Sequence, residues 1–505
     1  MRKHFGTLVT VTLMLLFSGV ARADIQDVLP ELEAYAIQVM EEEKVPGMAY
    51  AIVEKDQIIY ANGFGLREMG KPARVRPHTV FEIGSTSKAF TVALLAMLDD
   101  ERKLSWEDKV QQHWRGFAMY DPWVAKELTI ADLVSQRSGM PAYSLDLMSF
   151  IGFNGSQIAR AVRYVEPVTS FRSTFGYVNN LFLVAGKVIE SKTGLSWRDN
   201  LDVSIFGPLG MTGSTADPEI VATWKDVARG YMVTSDGSLW PIPDNWIYAG
   251  WVDTYGPAGG IRSNVLDMAN WIRLQLGRGS FEGRRMISRN NVAYMHQPKV
   301  FAYGDIFGGL ACYGSGWMYN VLSPHVLVWH NGSTMGMHSV VALVPDADVG
   351  LVVLTNSNGN QVPERIMTKF YELYFNTTTA KSFRGQVMGA GPGKVLIDRK
   401  KPPALLRAPL AHLPYDRYCG VYSHPAYGRM TVKVVHGALF AILGPNHIKA
   451  SLIPYSGHTF QMALPDFPDG ESLATFIVQP DKNAEGVVME AFSDSNGGRY
   501  SRVND

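Results

Sequence analysis

Ser85 and Lys88, three residues apart, are the side chains of this sequence best suited to covalent chemistry. A serine hydroxyl is a poor nucleophile until a base removes its proton. If a helix starts at Ser85, residues three apart share a face and Lys88 Nζ can reach Ser85 Oγ. The lysine must then be desolvated enough to act as a neutral base. The apolar run Ala89 to Leu98 that follows it supports such burial. The N-terminus of that helix would also favour a developing oxyanion. Ser-x-x-Lys alone is weak, since it is expected about once or twice by chance in a chain of this size. The alternative makes Ser85 a helix N-cap and Lys88 a solvated residue of the first turn.

Two further segments carry suitable groups. In Tyr177-Val178-Asn179, a tyrosine near a lysine can lower its pKa and shuttle protons. The asparagine can orient the lysine and a substrate amide. Taken singly, Tyr177 reads as a core aromatic and Asn179 as an N-cap. In His330-Asn331-Gly332-Ser333, which follows the strand-like run Val326 to Trp329, Gly332 would admit a substrate close to the backbone. The Ser333 amide could donate to an oxyanion, and His330 could supply a polar contact or a proton. Taken singly, His330 reads as a satisfied strand-end histidine.

The three segments together resemble the serine β-lactamase-like and penicillin-binding-protein-like hydrolases, in the branch of class C β-lactamases, carboxylesterases and D-aminopeptidases. The resemblance runs from Ile25 to Phe375 and includes the phrases Thr129 to Gly139 and Gly256 to Arg262. It implies an acyl-enzyme on Ser85, with Lys88 and Tyr177 moving the proton and Asn179 orienting lysine and substrate. It also implies an oxyanion hole of the Ser85 and Ser333 amides, and no cofactor or metal. His330 stands where β-lactamases carry a lysine. An ordinary histidine is mostly neutral at pH 7, which moves the expectation from a dedicated β-lactamase toward a peptidase, amidase or esterase. Two look-alikes are set aside. Tyr60-Ala61-Asn62 ends a hairpin strand before the nucleophile, and Lys192-Thr193-Gly194 ends a helix where Gly194 suits the C′ position.

The positioning elements are expected as follows. Val28 to Glu43 reads as an amphipathic helix, and Met48 to Glu54 with Gln57 to Ala61 as a hairpin. Leu104 to Asn290 reads as mainly helical, with Leu181 to Lys192 as one helix. Val326 to Trp329, Met337 to Val344 and Val349 to Leu354 read as strands, and Pro363 to Phe375 as a closing helix. Strands at both ends of the region should join in one antiparallel sheet. This is an α/β (α+β) fold: a β-lactamase/transpeptidase-like sheet flanked by helices, with an all-helical subdomain. The short alternating runs Met430 to Val435, Leu439 to Leu443, Thr459 to Leu464, Leu473 to Val478 and Val487 to Phe492 then read as a small β-barrel, and the stretch Tyr418 to Phe492 resembles the lipocalin-like domain appended to such hydrolases. In relatives such a barrel can shape the cleft or build oligomers, so a homo-oligomer through it stays open. The expected organisation is 1–23 signal peptide, 24–376 hydrolase domain, 377–412 linker and 413–505 barrel domain.

Lys plus Arg and Asp plus Glu both number 47, so no net basic field points to nucleic acid. Arg2 and Lys3, the apolar run Leu8 to Val20 and Ala21-Arg22-Ala23 read as a cleavable signal. The run is short against the roughly 20 residues that span a bilayer. A periplasmic or secreted protein without a stable membrane anchor is therefore expected. Cys312 and Cys419 are the only two cysteines and read as thiols rather than a bridge. No His-Glu-x-x-His run marks a zinc peptidase, and no Gly-x-Ser-x-Gly elbow marks an α/β-hydrolase. The expected partner is a small-molecule or short-peptide substrate. The competing readings are a β-lactamase or slow-turnover penicillin-binding protein, and a non-enzymatic penicillin-binding sensor.

Overall fold

In the computed structural model, residues 22–306, 309–322, 325–376 and 410–503 are described. Residues 1–21 of the expected signal peptide (1–23) and residues 377–409 of the expected linker (377–412) lie outside them. The chain opens with helix α1 (Ile25–Glu42), whose first turn is capped by the Asp24 carboxylate accepting from Gln26 N. Strands β1 (Gly47–Glu54) and β2 (Gln57–Gly65) form the expected hairpin. The sequence then leaves the sheet and returns to it as β3 (Val300–Ile306), β4 (Gly309–Tyr313), β5 (Met318–Leu322), β6 (His325–Ser333), β7 (His338–Val344) and β8 (Val349–Thr355). The resulting eight-stranded sheet runs β2-β1-β8-β7-β6-β5-β4-β3. Its two ends in sequence meet antiparallel, with Met48 opposite Thr355.

Strands β7 and β8 are buried at every position, so both faces of the sheet are covered. The alternation of side chains decides which layer each residue serves. Val349, Leu351 and Val353 pack with Leu32 and Ala36 of α1 and with Ile366 and Phe370 of the closing helix Val362–Phe375. Val352 and Leu354 pack on the opposite face, with Phe90 and Trp271. Phe90 lies on helix α2 (Ser87–Asp100), and its ring stacks on Trp271 with centroids 3.9 Å apart. That contact clamps α2 against the helix Val265–Leu276, which carries Trp271.

The sequence reading did not anticipate β3, β4 and β5. Phe301, Leu310 and Val321 are all more than two-fifths exposed, so at these positions the strands towards the sheet edge lack the buried apolar alternation that would mark them. The region before them is helical as expected, with helix α3 at Asn180–Thr193. It also carries short ladders, such as Phe81–Glu82 with Arg262–Ser263. Cys312 and Cys419 are both free and half-buried.

The C-terminal part is a closed barrel of eight strands, each paired with its neighbours in chain order. The sequence revealed five of them. Gly420–His424 and Arg499–Val503, which pair to close the barrel, and Ile448–Ser456, which is irregular at Pro454, were not read as strands. The expected strand Val487 to Phe492 ends at Met489 and turns into a 3-10 helix at Glu490–Phe492. One apolar cluster is continuous from α2 and the helical region into the barrel interior.

Candidate active site

Ser85 sits in a 3-10 turn, Gly84–Thr86, that leads into α2. The α-helix proper begins two residues later than the sequence suggested. The turn is possible because Gly84 adopts φ +52°, a region that side chains disfavour. The Thr86 hydroxyl donates to Ile83 O at 2.9 Å and locks it. Lys88 follows on the first turn of α2 and is fully buried, which removes the solvated alternative. Its Nζ donates to Ser85 Oγ at 3.0 Å and to Ala258 O at 2.8 Å. The Tyr177 ring lies 4.7 Å away and the Phe182 ring 5.3 Å away. Burial draws the ammonium pKa down to about 7, against an opposing pull from Asp146. A substantial fraction of Lys88 is therefore a neutral amine at neutral pH.

The third segment meets this turn backbone to backbone. A Cβ on Gly332 would lie 2.0 Å from Ile83 O and 2.9 Å from Ser85 N, and a Cβ on Gly84 would lie 2.7 Å from Ser333 N. Two glycines thus let β6 abut the nucleophile turn and bring the Ser85 and Ser333 amides into one neighbourhood. That is the arrangement required to cradle a developing oxyanion. The Ser339 hydroxyl donates to Ile83 O at 2.7 Å and pins the same junction from β7.

His330 is buried, and burial followed by the charge of Lys88 pushes its pKa down to about 3. Its Nδ1 lies 2.5 Å from Asn331 O; a carbonyl only accepts, so Nδ1 carries the proton. Nε2 then accepts from the Tyr313 hydroxyl at 3.1 Å. Both ring nitrogens are engaged by protein, so His330 forms a neutral wall beside Tyr177, with ring centroids 6.2 Å apart. The proton-carrying role the sequence allowed for it finds no support in this geometry.

Tyr177 is placed by the phrase Thr129 to Gly139. Gln136 accepts from Gly176 N through its backbone at 2.9 Å and from Val178 N through its side chain at 2.7 Å. Asp132, buried under Arg137 and Arg172 at 2.9 and 2.6 Å, anchors that phrase. The second phrase supplies Ala258 O to Lys88, and its Arg262 is buried between Glu82 and Asp253.

Asn179 is at the N-cap position of α3, yet its side chain makes no capping bond. It donates to Asp146 Oδ2 at 2.8 Å instead. Its expected hold on Lys88 is thus replaced by a bond to a carboxyl that acts on Lys88 electrostatically. Burial pushes Asp146 up to about 8. Sequence reasoning missed Asp146 and Tyr313, because nothing in their local sequences marks them and only the fold brings them to Ser85; Ala258 lies in the phrase Gly256 to Arg262, whose contact with Lys88 only the fold supplies. The look-alikes are elsewhere: the Tyr60 hydroxyl donates to Glu33, and Gly194 ends α3 at φ +74°.

A family model described as Beta-lactamase matches residues 32–374, and one described as a domain of unknown function (DUF3471) matches residues 407–499. The chain is 29% identical to an unguisins hydrolase of Aspergillus campestris, over 78% of this chain and 76% of that protein. It is 27% identical to penicillin-binding protein 4 of Amycolatopsis lactamdurans, over 75% of this chain and 95% of that protein. The fold also superposes on an octameric penicillin-binding protein homologue from Pyrococcus abyssi, with a TM-score of 0.61 and 24% identity, over 94% and 99% of the two chains. With its nucleophile turn, buried lysine and glycine-lined strand within the matched region, the chain belongs to the beta-lactamase family of serine hydrolases and penicillin-binding proteins.

Proposed function

We propose that this chain is an exported serine hydrolase that cleaves an amide, peptide or ester bond through an acyl-enzyme on Ser85. The observation that carries this reading is the fully buried Lys88 amine 3.0 Å from Ser85 Oγ. In the neutral lysine, that contact reverses and Nζ takes the hydroxyl proton as Oγ bonds to the substrate carbonyl carbon. The carbonyl oxygen takes up negative charge beside the Ser85 and Ser333 amides. As the tetrahedral centre collapses, the bond to the leaving group breaks and the amine or alcohol departs with the proton held by Lys88, with Tyr177 alongside. Water then attacks the ester, giving up a proton to the same base, and the acid is released with Ser85 restored.

The neutral His330 favours peptidase, amidase or esterase chemistry over a dedicated β-lactamase, because it offers no fixed cation for a β-lactam carboxylate. The likeness to a penicillin-binding protein keeps a slow-deacylating variant as the second reading. Hydrolysis of a p-nitrophenyl ester that disappears in Ser85→Ala supports the first reading, and full activity in that variant refutes it. A labelled penicillin separates the two readings: released product indicates a hydrolase, persistent label a penicillin-binding protein. Absence of any labelling or turnover would favour a non-enzymatic binder. A panel of D- and L-aminoacyl amides, D-Ala-D-Ala peptides and short esters ranks the substrates. Amino-terminal sequencing of the secreted fraction tests export, with cleavage after Ala23 as the expected result.

A further inference from the structure

The segment Ser144 to Gly152 lies behind the cleft and carries Asp146, the partner of Asn179. The C-terminal barrel grips this segment at both ends. At the far end, Asn446 N donates to Ile151 O at 3.2 Å, and a Cβ on Gly444 would lie 2.1 Å from that oxygen. At the near end, Leu145 N donates to Asp494 Oδ2 at 2.6 Å. Asp494 is itself held, since the Tyr427 hydroxyl lies 2.9 and 2.8 Å from its two oxygens. Leu145 is fully buried and has φ +65°, a conformation that costs a residue with a side chain and persists only where its surroundings enforce it. Its carbonyl is pinned as well, accepting from the Tyr255 hydroxyl at 2.9 Å. Each polar group of Leu145 thus meets a side chain, the amide one from the barrel, and the carbonyl also accepts from Met148 N at 2.9 Å. Beyond Leu145, Tyr143 N donates to Tyr177 O at 2.7 Å, and Asn180 Nδ2 donates to Ser144 O at 2.9 Å.

We propose that Asp494 is a positioning residue for the acyl-transfer site: the barrel, through Asp494, holds Leu145 in its left-handed conformation and so sets Asp146, Asn179 and Tyr177 against Lys88. The barrel is then a working part of the catalytic unit. Asp494 touches no reacting atom and acts through one peptide bond. This inference rests on Ser85 being the nucleophile of acyl transfer.

The test uses the full chain and single-turnover acylation by a p-nitrophenyl ester, with the burst amplitude reporting the folded fraction and the rate constant reporting the site. Wild type and Ser85→Ala establish the nucleophile first. If wild type shows no Ser85-dependent burst, the reading of the site fails, and this inference with it. With that burst in hand, Asp494→Ala should lower the acylation rate constant about 10- to 100-fold, the loss that small displacements of positioning groups produce. The side-chain amide of Asp494→Asn can still accept from Leu145 N, so this variant should recover to within about threefold of wild type. Tyr427→Phe, which removes one of the holds on Asp494, should fall between them. A wild-type rate constant in Asp494→Ala, whatever its burst amplitude or melting temperature, would overturn the proposal, because a mere staple between domains changes the folded fraction and not the rate. Equal losses in the Ala and Asn variants would overturn it as well.

Discussion

Gly332→Ala is the sharpest probe of the backbone contact between β6 and the nucleophile turn. The new methyl would sit 2.0 Å from Ile83 O, 2.6 Å from Ser339 Oγ and 2.9 Å from Ser85 N. The Ser339 side chain can rotate away, but Ile83 O and Ser85 N belong to the backbone of the turn itself. Relieving the closest contact requires β6 to retreat by roughly 1 Å, since heavy atoms do not approach below about 3 Å in a packed interior. β6 is fixed to β7 by pairing of Asn331 with Val340 and Gly332 with Ser339, so the displacement falls on the short stretch that carries the Ser333 amide. Losing one oxyanion donor costs about 100- to 1000-fold in turnover, or about 2.7–4 kcal/mol of transition-state stabilisation. The expected signature is a fall in kcat of that size with KM little changed and a burst that still titrates Ser85. Stopped-flow ester acylation measures it directly. An acylation rate within about threefold of wild type would refute the contact and the assignment of the Ser333 amide to the oxyanion hole.

Lys88 gives two linked expectations. The neutral amine is the active form and its pKa is drawn down to about 7, so the acylation rate should rise as pH increases through about 7 and level off above it. A profile flat from pH 5 to about 9 would contradict a lysine base. Lys88→Ala should abolish that limb and slow acylation by about 100- to 10,000-fold; near-normal single-turnover acylation would remove Lys88 as the base. Behind the strand, buried Glu364 accepts from Asn331 Nδ2 at 3.0 Å and from His338 Nε2 at 2.8 Å. Glu364→Ala leaves the buried His338 donor unpaired, at about 1–3 kcal/mol, and the half-buried Asn331 amide without this acceptor, so a clear fall in melting temperature should be measurable by calorimetry, and an unchanged value would count against that network.

Much of the fold was legible locally. Val349 to Leu354 announces a strand buried on both faces, and Leu181 to Lys192 a helix ended by Gly194, because such runs carry their period and their stop signals within a few residues. The strands β3 to β5, which run out to the sheet edge, and the barrel strands Gly420–His424 and Arg499–Val503 were silent. Their pairing is decided by distant partners rather than by their own alternation.

The same division runs through the site. Sequence by itself determined the reactive pair Ser85 and Lys88, the glycine at Gly332 and the segment holding Tyr177, since each depends on residue type and near spacing. Tertiary structure alone decided that Lys88 is dry, that both nitrogens of His330 are taken, and that Asn179 turns to Asp146. It alone decided that Asp494, 349 residues from Leu145, reaches the back of the cleft. Burial and long-range hydrogen bonds are sums over neighbours that the chain supplies only once folded, so chemical identity could be read in advance and protonation and position could not.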